Sequence, residues 1–390
     1  MAKRIGTEVS LGVAEAVKLA KVDVIAAYPI TPQTHIVEEL SLYVANGELD
    51  AAFIPVESEH SAMSAAIGAV ATGARTYTAT SSQGLILMSE IVFIAASYRL
   101  PIVMTIANRS LSGPISIWND HSDIMAIRDA GWIQIFAENG QESFDLTLMG
   151  FKIAEDKRVL LPVGINLDGF ILTHMIEPIE VLDQAEVDSF LPPFEPSLVL
   201  DPKRPVSIGP VGVPEIYMEA KKQHEQALLG SKEVIKQVFG EWKERFGREY
   251  NVIETNGDPE AEIVFVTMGG LGETVMSAVE ELNQNGQKAR QVRIRLWRPF
   301  PEEELLAALQ GAKKVIVIDR AISFGATQGP VCAEVKAGLY QQGTKPEIYN
   351  FICGLGGRDV TREDFKQMYK LAQAGKNQEQ YVIWGVREDD

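Results

Sequence analysis

From Glu8 to about Leu182, short apolar runs alternate with longer stretches of helical period. That rhythm predicts βαβ units around a parallel sheet. Residues 22–28 read as a strand, which Pro29 and Pro32 stop in a loop leading to a helix from Thr34 to Ala45. Residues 53–56 read as the next strand. Ser58 is then the expected cap of a helix rich in small residues, Ala62, Ala65, Ala66, Gly68 and Ala69, which would let it lie close to a neighbour. Residues 75–80 and 100–107 read as strands, with a helix over 85–98 between them. Strand ends therefore concentrate near Tyr28, Glu57, Ser81 and Arg109, and open α/β sheets bind ligands beyond the carboxyl ends of their strands.

The pattern changes after Phe190. Seven of the 19 prolines fall between Phe190 and Pro214, in a stretch without clear period, which is the composition of a linker or a surface wrap. Residues 215–246 read as a long charged helix interrupted by Gly230 and Gly240, a connector whose expected job is spacing. From Ala261 the alternation returns: strands over 263–267, 290–296 and 314–318, with the turn Gly269-Gly270-Leu271-Gly272 opening a helix to Gln284. The expected organisation is a doubly wound domain over 1–190, a Pro-rich linker and connector helix over 191–255, and a smaller α/β domain over 256–390. The polar tail from Asn377 is expected to fray or to dock on a partner.

Composition narrows the choice of function. The chain has 390 residues, 46% hydrophobic and 23% charged, enough apolar content for more than one core. A formal charge of −17 disfavours nucleic acid, because no basic surplus exists to displace counterions. No apolar core of signal-peptide kind follows the first residues and no later apolar run reaches membrane-spanning length, so a cytoplasmic protein is expected. Cys332 and Cys353 are the only cysteines. Buried reduced thiols are the default for two such residues, and iron-sulfur clusters usually take four.

Most isolated motifs are weak. The turn at Gly269 lacks the third glycine of the dinucleotide fingerprint and reads better as a tight turn than as a phosphate cradle. Asp120-His121-Ser122-Asp123 contains triad residue types, but triads come from separated segments. No metal-ligand spacing stands out, and a metal site made wholly by this chain is not expected. More informative is the set Tyr28-Pro29-Ile30-Thr31-Pro32, Glu57-Ser58-Glu59-His60 and Ala107-Asn108-Arg109, which lies at strand ends of one domain. Each member also has an ordinary structural explanation: Thr31 as a turn residue, Glu59 as a partner of the helix dipole, Arg109 in a surface ion pair.

Those segments, with Thr80-Ser81-Ser82-Gln83-Gly84-Leu85, Asn108-Arg109-Ser110-Leu111-Ser112, Trp118-Asn119-Asp120-His121-Ser122-Asp123 and Asn166-Leu167-Asp168-Gly169-Phe170, resemble the alpha subunit of 2-oxoacid:ferredoxin oxidoreductases, in the family's order. Arg295-Leu296-Trp297-Arg298-Pro299-Phe300-Pro301 and Asp319-Arg320-Ala321-Ile322-Ser323-Phe324-Gly325 resemble that family's transketolase C-terminal-like domain, so the likeness covers most of the chain.

The resemblance implies an α/β chain with a pyrimidine-binding domain for thiamine diphosphate over 1–190, and oxidative decarboxylation of a 2-oxoacid with coenzyme A. It implies that Glu59 touches the pyrimidine ring nitrogen and so promotes loss of the thiazolium C2 proton. Arg109 would pair with the substrate carboxylate, Thr31 would add a hydroxyl, and Tyr28, Pro29, Ser81, Ser82 and Gln83 would line the cofactor cleft. The Gly-Asp-Gly motif that holds Mg²⁺ and diphosphate in such enzymes does not occur in this sequence. A diphosphate-binding beta-type subunit, a ferredoxin-like subunit carrying 4Fe-4S clusters and a gamma-type subunit are the implied partners. Pyruvate is the favoured substrate, because residues 109–123 resemble pyruvate-type members. Branched-chain, aryl or other 2-oxoacids, a non-catalytic scaffold subunit and an NAD-dependent dehydrogenase are the alternatives.

Overall fold

A computed structural model describes residues 3–341, 345–375 and 380–387. Strand β1 (Lys3–Glu8) opens the described chain. It is followed by β2 (Val24–Ala27), β3 (Ala52–Pro55), β4 (Thr76–Thr80), β5 (Ile102–Asn108), β6 (Ile133–Phe136) and β7 (Val163–Asp168), which form a parallel sheet in the order β6-β7-β5-β4-β2-β3. Every residue of β4, β5, β6 and β7 is buried, as a sheet with helices on both faces requires. β8 (Ile176–Val181) returns antiparallel to β1.

The second sheet holds β9 (Ile253–Gly257), β10 (Ile263–Met268) and β11 (Ala289–Ile294). One run of chain then changes sheet. After β11 it passes Arg295 and continues as β12 (Leu296–Arg298), antiparallel to β6 on the edge of the first sheet. The expected single strand over 290–296 is thus two strands in two sheets. β13 (Lys314–Asp319), β14 (Glu347–Ile352) and β15 (Val382–Ile383) complete the second sheet in the order β15-β14-β13-β10-β11-β9.

Two other expectations change. The helix Pro214–Phe246 runs unbroken through Gly230 and Gly240, which lie on its exposed side with open space around them. Its second half is more than a spacer. Leu228, Val234, Ile235, Val238, Phe239 and Trp242 join the main core, and burial of that many large apolar groups stabilises by roughly 1.5 to 3 kcal/mol each before entropy is counted. The tail, so far as it is described, docks on this chain's own sheet: β15 pairs with β14, and Trp384 Nε1 donates to Asp364 at 3.0 Å. Residues 377–379 and 388–390 lie outside the described residues. No described helix is long and apolar enough to cross a membrane.

The two sheets are joined by buried charge. Arg293 of β11 and Arg295 reach Glu142, in the helix Gly140–Glu155, at 2.9 and 2.6 Å. Arg248 and the Tyr250 hydroxyl similarly hold the fully buried Asp145 of that helix.

Candidate active site

The loop after β2 folds on itself. Gln33 donates from Nε2 to the carbonyl of Tyr28 at 2.8 Å and from its backbone to that of Ile30 at 2.9 Å. Tyr28, Pro29 and Thr31 stand exposed at its tip, and the Thr31–Pro32 bond is cis.

Ser58 caps the helix Glu59–Ala71 as expected, its Oγ accepting from the Ser61 backbone at 3.3 Å. That cap places Glu59 in the first turn, facing inward and only 5% exposed. Among the described residues its carboxylate has no hydrogen-bond partner. Gly84, having no side chain, lets the Glu59 side chain pack directly against its backbone. A methyl group there would lie 2.5 Å from Glu59 Oε1 and 2.7 Å from Thr80 Oγ1, itself a buried hydroxyl without a partner. A carboxylate without a partner and a buried, unsatisfied hydroxyl thus lie side by side, as a seat for a polar ligand would need.

The turn after β4 joins this seat to the cation. Arg109, at the end of β5 and 6% exposed, spreads its guanidinium over three chain segments. Nη1 donates to the Thr31 carbonyl at 2.8 Å, Nε to the Ser116 carbonyl at 2.8 Å, and Nη2 approaches Gln83 Oε1 at 3.5 Å. Nη2 is the least committed arm. Burial pulls the guanidinium below its ordinary pKa while Asp123 opposes that shift; arginine remains charged in such surroundings. Gln83 and Gly84, adjacent in sequence, therefore touch Arg109 and Glu59 respectively. The Ser81 and Ser82 hydroxyls turn inward to the carbonyls of Ala107 and Ser110, both at 2.6 Å, and cap no helix.

Two acids to which the sequence assigned no role at the site organise the surroundings. Asp123 is fully buried and accepts four hydrogen bonds, from Ser82 N and Arg109 N at 3.0 Å on Oδ2, and from Asn108 Nδ2 at 3.1 Å and Ile124 N at 2.7 Å on Oδ1. Burial pushes its pKa up to about 7 against those donors. Asp168 closes the other side. It meets His121 Nε2 at 2.8 Å, Gly270 N at 2.7 Å and, as an ion contact, Arg320 Nη1 at 2.7 Å. Burial opposes ionisation, yet Arg320, His121 and Gly270 hold this carboxyl well below the usual range.

These contacts settle several motifs. The helix N-terminus at Gly270 is filled by Asp168, so the turn serves packing between the two units. Ser122 bonds Asp120 while His121 bonds Asp168, so the triad residue types form no nucleophile relay. Both oxygens of Asp168 are engaged within this chain, Oδ1 by His121 and Oδ2 by Gly270 and Arg320. Two groups of possible metal ligands occur among the described residues, Glu8 with His35 and His174, and Glu138 with Glu142 and Glu254. His35 is already bonded to Glu8 at 2.6 Å, and Glu142 and Glu254 are paired with arginines. Cys332 and Cys353 are buried free thiols, which burial pushes up to about 12.

A family model described as pyruvate flavodoxin/ferredoxin oxidoreductase, thiamine diphosphate-binding, matches residues 15–240, and one for the pyruvate:ferredoxin oxidoreductase core domain II matches residues 261–365. Pyruvate synthase subunit PorA of Methanothermobacter thermautotrophicus is 48% identical over 378 residues, covering 97% of either chain. Ketoisovalerate oxidoreductase subunit VorA of Pyrococcus horikoshii is 46% identical, covering 92% of this chain and 91% of that one. In fold, the chain resembles the 2-oxoglutarate:ferredoxin oxidoreductase of Magnetococcus marinus, solved with 2-oxoglutarate, coenzyme A and succinyl-CoA, with a TM-score of 0.73 and 19% identity. The match covers 95% of this chain and 65% of that longer one.

Proposed function

The chain belongs to the pyruvate flavodoxin/ferredoxin oxidoreductase family, and from that premise we propose that it is the alpha-type subunit of a thiamine diphosphate-dependent enzyme that oxidatively decarboxylates pyruvate with coenzyme A. The observation that carries this reading is the turn at Gln83 and Gly84, which touches both the partnerless Glu59 carboxylate and the least committed arm of the Arg109 guanidinium.

The residues fit one half of the cofactor. Glu59, Thr80 and Gly84 form a seat for the aminopyrimidine, whereas the sequence carries no Gly-Asp-Gly motif for diphosphate and Mg²⁺, which we assign to a beta-type partner. Bound there, thiamine diphosphate supplies the carbon nucleophile that attacks the 2-oxo carbon. Glu59 hydrogen-bonds the pyrimidine ring nitrogen, the acid-base task a carboxyl at that place would serve. Arg109 binds the substrate carboxylate through Nη2, with its other nitrogens anchored to carbonyls so that the fork does not swing. The Thr31 hydroxyl, exposed and unpartnered among the described residues, adds one hydrogen bond. Tyr28, Pro29 and Gln83 wall the cleft, and Ser81 and Ser82 hold its turn from behind. Residues 1–190 thus act as the pyrimidine-binding domain, residues 191–255 as the connector and residues 256–390 as the transketolase C-terminal-like domain.

Pyruvate is favoured over a dicarboxylate because Thr31 stands where a second cation would serve better, and pyruvate synthase subunits match over nearly the full chain. Likeness to a ketoisovalerate oxidoreductase subunit keeps branched-chain acids as the second reading. Two buried thiols cannot ligate 4Fe-4S clusters, so electrons leave through a ferredoxin-like subunit, with a gamma-type subunit completing the complex. The test is to purify the native complex, identify its subunits and cofactors, and assay a panel of 2-oxoacids with coenzyme A and a dye acceptor. Pyruvate should give the highest kcat/KM, and activity dependent on NAD without thiamine diphosphate would overturn the reading.

A further inference from the structure

We propose that Asp123 is the positioning residue of this site: its single carboxylate fixes Arg109 and the Ser82–Gly84 turn relative to each other, and so sets the spacing between the substrate cation and Glu59. The inference rests on the functional reading above and extends it to a residue that touches neither substrate nor cofactor.

A carboxylate offers two oxygens, each able to accept two bonds, and has no hydrogen to give. All four places are taken. Oδ2 takes the backbone N–H of Ser82 and of Arg109, and Oδ1 takes Asn108 Nδ2 and Ile124 N. Ser82 and Arg109 are 27 residues apart and lie at the ends of different strands, yet both N–H groups meet one oxygen atom at 3.0 Å. Their separation is fixed by that atom.

The backbone adds a second observation. Ser82 has φ of +47°, in the left-handed region where a residue with a side chain is strained. Its N–H bond to Asp123 and its buried hydroxyl hold it there. That conformation aims the next two residues, Gln83 at the Arg109 guanidinium and Gly84 at the Glu59 carboxylate. Released, Ser82 would relax, and the two working groups would lose their common reference.

Asparagine cannot replace this residue. Its amide would turn an NH₂ group toward two N–H donors, whichever way it is flipped. Serine is the complementary variant, removing the carboxylate without introducing a donor clash and leaving a small space. Asp145→Asn is the control, since it also disturbs a fully buried, hydrogen-bonded carboxylate but lies away from the crevice.

The experiment uses the assembled complex. For wild type, Asp123→Asn, Asp123→Ser and Asp145→Asn, one would measure thiamine diphosphate occupancy, thermal midpoint, KM and kcat for pyruvate and KM for coenzyme A, with and without added formate. Both Asp123 variants should raise KM for pyruvate at least tenfold and lower kcat, leaving KM for coenzyme A within about twofold. Formate should restore part of the loss in Asp123→Ser and none in Asp145→Asn, which should lower the thermal midpoint without moving KM for pyruvate. Wild-type kinetics in either assembled Asp123 variant, or equal KM changes in Asp145→Asn, would overturn the positioning role. A wild-type complex that turns over no 2-oxoacid would instead overturn the functional reading. If neither Asp123 variant assembles, a complex reconstituted from Asn108→Ser, which removes one donor to Oδ1, must show the same selective rise in KM for pyruvate, and its absence would sink the proposal.

Discussion

Arg109 donates from Nη1 to the backbone carbonyl of Thr31 at 2.8 Å, so the cation and the exposed threonine are locked together through the main chain. Thr31→Val keeps that anchor and removes only a hydroxyl, and should cost about 1 to 3 kcal/mol in kcat/KM for pyruvate. Arg109→Ala removes the charge and strips two carbonyls of their donor, with an expected cost of about 2 to 5 kcal/mol. Arg109→Lys should fall between, because an ammonium has no planar fork. Steady-state kinetics on complexes with full subunit and cofactor content check the order, and an Arg109→Ala enzyme near wild type would move the carboxylate site elsewhere.

Gly84→Ala probes the seat beside Glu59. The added methyl would meet Oε1 at 2.5 Å and Thr80 Oγ1 at 2.7 Å, and such overpacking typically costs about 1 to 3 kcal/mol. Thiamine diphosphate content of the purified complex should fall well below one per alpha subunit while the chain stays folded. Full occupancy would place the ring away from Gly84.

Asp168 joins the two units, and its pKa sets a pH window. Because the folded value lies below the unfolded one, of about 3.9, its contribution is fully present above that value and is lost as pH falls further toward the folded value. Asp168→Asn should therefore lower urea stability at pH 7 by about 3 to 5 kcal/mol, since it leaves Arg320 buried without its counter-charge. The difference from wild type should shrink only below about pH 4, which titration of the unfolding midpoint against pH would reveal.

The purified single chain should be colourless and inactive. Its two thiols are buried apart from any cluster-like grouping among the described residues. An iron-sulfur absorption band from this chain alone would contradict the division of labour.

Much of this arrangement was legible where the physics is local. The helix from Thr34 to Ala45 and the Ser58 cap follow from proline stops and a single hydroxyl, and the structure places both as read. The site residues could be named because their motifs recur in a known order. What escaped reading depends on contacts between distant segments. Asp123 looks like one polar residue in a polar run, and its role appears only when Ser82, Asn108 and Arg109 converge on it. The sheet change after β11 turns on where Arg295 is anchored, by Asn251 and Glu142. Gly230 and Gly240 suggest helix breaks, but on an exposed face each costs only about 1 kcal/mol, which the buried face outweighs.

Glu59 is the residue on which cofactor activation turns, and its test is proton exchange rather than turnover. In the assembled, cofactor-loaded complex, hydrogen–deuterium exchange at thiamine C2 should slow by roughly two to four powers of ten on Glu59→Gln, the usual range for lost acid-base help. Cofactor occupancy should stay near that of wild type, because glutamine keeps the shape of the seat. An exchange rate equal to wild type at equal occupancy would show that Glu59 does not serve the pyrimidine ring.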